Sequence, residues 1–174
     1  GNAAVTVNNT LNWFNGTMRG GGSTTLAAAG SGALAAGGTV SLSGRTFNNL
    51  GTLNWVSSND MSLDTNATFN NQAGATFTVS NNQSVVNGGG AISNISNLGT
   101  ITKTSSGTSS FNVAFNNSNA VNVNAGTLSL NGGGTDAGTF NVALGDTLQF
   151  AGGTHNLNVG SSLAGAGNLS VVTG

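Results

Sequence analysis

A short string returns along this chain on a scale of 20–25 residues. FNNLGT at 47–52 comes back as FNNQAGAT at 69–76, as ISNLGT at 95–100 and as FNNSNAV at 115–121, with a looser copy, FNVALGDT, at 140–147. The copies begin at Phe47, Phe69, Ile95, Phe115 and Phe140, spaced by 22, 26, 20 and 25 residues. Self-similarity on that scale is the mark of a solenoid, in which each repeat buries its apolar face only against its neighbours. The uneven spacing predicts strands of constant length joined by turns of variable length.

Inside each copy the pattern has period two. Leu53-Asn54-Trp55, Phe77-Thr78-Val79, Val121-Asn122-Val123, Leu148-Gln149-Phe150 and Leu169-Ser170-Val171 all alternate apolar and polar. Such alternation puts one set of side chains inward and the other outward on a strand. Gly/Asn clusters such as Asn87-Gly88-Gly89-Gly90 and Asn131-Gly132-Gly133-Gly134 separate the runs and supply turn chemistry. A unit of about 22 residues holds three strands of about four, with about ten residues left for three turns. The expectation is therefore an all-β fold: a right-handed single-stranded parallel β-helix (a solenoid) of about 20–25 residues per rung over 1–174. Phe47, Phe69, Ile95, Phe115 and Phe140 are expected to share one inward column. An antiparallel sandwich also uses short alternating strands but requires no such recurrence.

The composition suits stacked rungs. Only 4% of residues are charged, there is no Glu, and Asn, Ser and Thr fill the polar positions. Like charges stacked one rung apart would repel, whereas amides and hydroxyls do not. An apolar fraction of 37%, the absence of Pro and the regular alternation argue against disorder. With a net charge of −1 the chain offers no electrostatic case for nucleic acid. No apolar run is long enough to cross a bilayer as a helix, so no membrane insertion is expected of this segment. No charged stretch followed by an apolar one opens the sequence, and the repetitive texture is expected to belong to something longer. The Gly/Ala-rich stretch 16–39 fits either rungs packed with small residues or a loop leaving the rod, and a short Ala helix at 26–29 is interrupted by Gly30 and Gly32.

Several segments carry a family likeness: LNWFNGTMRGGGSTTLAA (11–28), GRTFNNLGTLNW (44–55), FNNQAGATFTV (69–79), FNNSNAVNVNAGTLSLNGGG (115–134) and GTFNVALGDTLQFAGGTHNLNVGSSLAGAGNLSV (138–171). In these segments the chain resembles the β-strand-repeat regions of large bacterial surface and secreted proteins, among them autotransporter passengers and filamentous-haemagglutinin-like adhesins. The resemblance implies an extracellular or cell-surface address and a role in adhesion, spacing or matrix building. It carries no catalytic residue.

Chemistry-bearing residues are few. Catalytic β-helices acting on polysaccharides need convergent carboxylates, and only Asp60 and Asp64 lie close in sequence; they are expected to be an isolated pair. His155 is the sole histidine, with Asp146 nine residues upstream as its nearest conceivable partner, and a surface or turn position is expected for it. Asp136, in GGGTDAG (132–138), echoes a Ca²⁺-binding nonapeptide only once and imperfectly, so a polar turn is expected. Arg19, Arg45 and Lys103 are expected to be solvated, or to stand at edges where they discourage end-to-end pairing. Trp13 and Trp55 share Leu-Asn-Trp; alternation points both inward, and the competing reading is an exposed platform that stacks on sugar. No metal site, cofactor or catalysis is expected. The expected partners are surface glycans or other copies of the chain stacked end to end.

Overall fold

The computed structural model describes residues 1–172; the last two positions of the expected span, 173 and 174, lie outside the described residues. Twenty-four short strands and no helix make up the described chain, and every strand pairing is parallel. Strands three apart in sequence pair, giving three eight-stranded sheets that share eight successive rungs. This is a three-sided β-solenoid of about 21 residues per turn.

The first sheet stacks Val5–Val7, Ser23–Leu26, Thr46–Asn49, Thr68–Asn71, Asn94–Asn97, Ala114–Asn117, Gly134–Asp136 and His155–Leu157. The second stacks Thr10–Trp13, Ser31–Leu34, Thr52–Trp55, Thr76–Val79, Thr100–Lys103, Ala120–Val123, Thr139–Val142 and Ser162–Gly165. The third stacks Gly16–Arg19, Val40–Ser43, Met61–Asp64, Ser84–Asn87, Thr108–Phe111, Thr127–Leu130, Thr147–Phe150 and Asn168–Val171.

Alternation decides which side chains fill the interior. In most strands the second and fourth residues are buried, and the first and third face outward. Phe47, Phe69, Ile95 and Phe115 lie in one file of the first sheet, each directly over the next. The Phe47 and Phe69 rings stack 5.5 Å apart and nearly parallel, and Phe69 meets Phe77 of the second sheet at 4.8 Å. Each fully buried side chain of this size stabilises the fold by roughly 1.5–3 kcal/mol.

Phe140 does not join that file. It lies in the second sheet, between Val121 and Leu163. The cause is visible in the neighbouring residues. Apolar–Asn–apolar alternation suits any of the three sheets, so Phe-Asn alone does not identify the first one. What marks the first sheet is an inward Asn at the fourth position: Asn49, Asn71, Asn97 and Asn117, all fully buried. Residues 140–142 carry Val142 there instead. The seventh rung of the first sheet is Gly134–Asp136, with Asp136 opposite Asn117.

The stretch 16–39 forms ordinary rungs rather than a loop leaving the rod, with Leu26 and Leu34 buried inside alongside the small Gly32. It contributes strands Gly16–Arg19, Ser23–Leu26 and Ser31–Leu34, and no helix forms at 26–29. Gly32 faces inward, where an added Cβ would press on the side chains of Leu53, Leu26 and Leu11. At the eighth rung Leu157, Leu163, Leu169 and Val171 are exposed, since among the described residues no further rung covers them.

Candidate functional site

The fourth position of the first sheet lies at the corner leading to the second sheet, and the amides there form a continuous internal ladder. Asn49 Nδ2 donates to Asn71 Oδ1 at 2.9 Å, Asn71 to Asn97 at 2.8 Å, and Asn97 to Asn117 at 2.8 Å. Each of these amides also donates to a backbone carbonyl of the second sheet: Thr76, Thr100 and Ala120, at 2.9, 3.0 and 3.0 Å. Asn is suited to this place because one amide supplies both donors and an acceptor, so a buried file of them satisfies itself. Outward amides stack as well, as in Asn70 on Asn48 and Asn141 on Asn122, both at 2.9 Å.

The ladder stops at the seventh rung. There Asp136, fully buried, replaces Asn, and its Oδ1 accepts the backbone N–H of Asn117 at 3.3 Å. Asn117 Nδ2, Asp136 Oδ2 and His155 Nδ1 are all buried without a hydrogen-bond partner. His155 belongs to the next rung and faces Asp136, with Nδ1 3.8 Å from Oδ2. Its ring stacks on Phe150 at 4.4 Å, and its Nε2 lies 3.2 Å from the carbonyl of Leu130 and 3.1 Å from that of Gly152. Burial raises the Asp136 carboxyl above its ordinary 3.8, against the opposing pull of the imidazole and the Asn117 N–H. Both residues depart from the sequence expectation. His155 is not at the surface, since its side chain is 8% exposed, and Asp136, not Asp146, is the acid beside it. Asp136 stands in a strand rather than in a polar turn.

The remaining acids are dispersed. Asp60 Oδ1 accepts Ser84 N–H at 2.8 Å, and Asp64 accepts the hydroxyls of Ser41 at 2.6 Å and Ser62 at 2.7 Å. Both border the outer face of one strand, Met61–Asp64, so four residues of extended chain hold them about 13 Å apart. That exceeds the roughly 5–9.5 Å over which two carboxylates cooperate in glycoside hydrolysis. Asp146 Oδ1 accepts Gly126 N–H at 2.7 Å at another corner. Among the described residues no three His, Cys, Asp or Glu side chains converge on a metal-sized site.

Two cations expected in solvent are buried. Lys103 replaces an apolar residue in the second-sheet file, between Val79 and Val123. Its Nζ bonds the carbonyl and hydroxyl of Ser105, and burial lowers its value to about 8 despite Asp146. A long apolar stem lets lysine fill such a place while its head reaches corner carbonyls. Arg45 donates to Thr24 Oγ1 at 2.9 Å and to the carbonyls of Gly1, Ala3 and Ser23 at 3.2, 3.0 and 2.5 Å, tying residues 1–3 to the rod. Arg19 is exposed.

Trp13 and Trp55 occupy one file, on either side of Leu34. They are 6% and 0% exposed, and their rings stack on Phe47 and Phe77. The platform reading requires a free ring face that neither residue offers. The most evident grooves lie at the two ends of the stack, one lined by Val5, Val7, Leu11 and Met18, the other by Phe150, Leu157, Leu163 and Leu169. No carboxylate lines either groove.

No family model matches this chain, and no curated protein or solved structure matches it either.

Proposed function

We propose that this chain is a structural and adhesive rod module of a bacterial extracellular or cell-surface protein, with no catalytic role. The observation that carries the reading is the unbroken stack of eight rungs with an outer skin of hydroxyls and amides. A rung advances about 4.8 Å, so the stack supplies about 38 Å of stiff length. Other copies of the chain are the proposed end partners, since any open end of a parallel stack would leave a row of unpaired backbone groups that invites pairing. The autotransporter or haemagglutinin-like origin belongs to the same proposal.

A carbohydrate-binding module is the second reading, and one observation favours it. The outward first positions of the second sheet carry Thr10, Ser31, Thr52, Thr76, Thr100, Thr139 and Ser162, broken only by Ala120. Such a comb suits neutral surface glycans. A polysaccharide-active enzyme is the less favoured form, because the acids are dispersed.

The test combines protease challenge, assays for turnover of neutral polysaccharides, and glycan-array binding. The rod reading expects a chain that resists protease and releases no reducing ends. Turnover that falls in Asp60→Asn or Asp64→Asn would overturn it. Glycan binding lost in Thr76→Lys or Thr100→Lys, with unchanged melting, would favour the second reading.

A further inference from the structure

We propose that Asp136 and His155 form a one-proton latch that fastens the eighth rung to the seventh and loosens as the surroundings turn alkaline. The argument begins with the acceptors around the imidazole. Nε2 faces two carbonyl oxygens, so it carries a proton and donates. With that nitrogen committed, everything between the two residues depends on what lies between Nδ1 and Asp136 Oδ2. At 3.8 Å they are within ion-pair range but too far apart for a hydrogen bond.

A proton on the Asp136 carboxyl puts a neutral acid beside the ring, and a small closure of the 3.8 Å gap lets it donate to Nδ1. With no proton, a bare lone pair faces a buried carboxylate, and both repulsion and desolvation oppose closure. The surroundings add no other charge. Asn117 faces Asp136 from the preceding rung, Leu157 pairs with it in register on the following one, and Phe150 covers the ring. His155 alone acts electrostatically on Asp136, and Lys103 is influenced by Asp146 instead.

The sign follows from the direction of the Asp136 shift. A carboxyl raised on folding contributes stability that is fully present below its ordinary value and is lost as pH rises through the folded one. The grip on the last rung is therefore firmer in acid than in alkali, the reverse of a salt-bridged carboxylate. Ladder geometry also says how to jam the latch. Asp136→Asn restores the amide found at Asn49, Asn71, Asn97 and Asn117; its Oδ1 can accept from Asn117 Nδ2, and its Nδ2 can donate to His155 Nδ1.

Amide hydrogen exchange of the intact chain, corrected for the intrinsic rate at each pH, tests the proposal. The amides of His155–Leu157 should lose protection between pH 3 and pH 8, as pH rises from below the ordinary carboxyl value through the raised one. Those of Thr68–Asn71 should not change. Asp136→Asn should flatten the dependence, whereas Asp146→Asn should keep it. Equal protection at both pH values in the native chain, or an unchanged dependence in Asp136→Asn, overturns the latch. A ¹³C titration of the native Asp136 carboxyl needs no variant: ionisation at or below the ordinary carboxylate range overturns it too.

Discussion

Asn71 donates its side-chain amide to Asn97 Oδ1, 2.8 Å away on the next rung, and to the Thr100 carbonyl, 3.0 Å away across the corner. It also accepts from Asn49. A single side chain thus ties three rungs and two sheets together inside a fully buried corner. Removing it leaves several buried groups unpaired, each costing about 1–3 kcal/mol. Asn71→Ala should therefore lose about 2–4 kcal/mol in urea denaturation. Asn70→Ala, on the outer face of the same strand, should lose under about 1 kcal/mol.

Phe69 sits between the stacked ring of Phe47 and the tilted ring of Phe77. Phe69→Ala should lower stability by about 3–5 kcal/mol, with calorimetry reporting the loss as a fall in Tm.

Two glycines separate steric crowding from backbone strain. A Cβ on Gly51 would fall on the carbonyl oxygens of Gly30 and Ala27 in the preceding rung, and backbone cannot retreat. Gly74 has open space around it but a φ of +81°. Gly51→Ala should cost at least about 3 kcal/mol, a loss of the large class tied to overpacking. Gly74→Ala should cost about 1–2 kcal/mol, the penalty of a left-handed backbone. Equal melting of the two variants would contradict the rung contact.

Lys103 makes the fold sensitive to alkali in the opposite sense to the latch. Its value falls from 10.5 to about 8 on burial, so the folded state gives up the proton before the unfolded state does. The linked stability is fully present above 10.5 and is lost as pH falls through about 8. Global stability should rise across that window, and Lys103→Met should remove the rise. A denaturation series from neutral pH upward measures both.

The strands, their parallel stacking and the interior placement of Phe47, Phe69, Ile95, Phe115, Trp13 and Trp55 were legible because period-two alternation and a 20–25-residue recurrence are properties of the chain itself. The assignment of Phe140 was not, because Phe-Asn recurs in more than one sheet; the inward Asn was the informative letter. The pairing of Asp136 with His155 escaped notice for the same reason. Gly134-Thr135-Asp136 stands where Phe-Asn-Asn is found elsewhere, and the false copy at Phe140 concealed that rung. Lys103 and Arg45 looked solvated because charge usually is. Their burial depends in part on carbonyls, Ser23 for Arg45 and Ala125 for Lys103, that become neighbours only after coiling.

Spin-label distances along the outer face of the second sheet test the coil most directly. With one label at Ser31→Cys and the other in turn at Thr100→Cys, Ala120→Cys, Thr139→Cys or Ser162→Cys, successive pairs differ by one rung. The distances should rise in sequence order by about 4.8 Å per step, to about 29 Å for the last pair. A pair that is farther along the sequence yet closer in space would contradict stacked rungs.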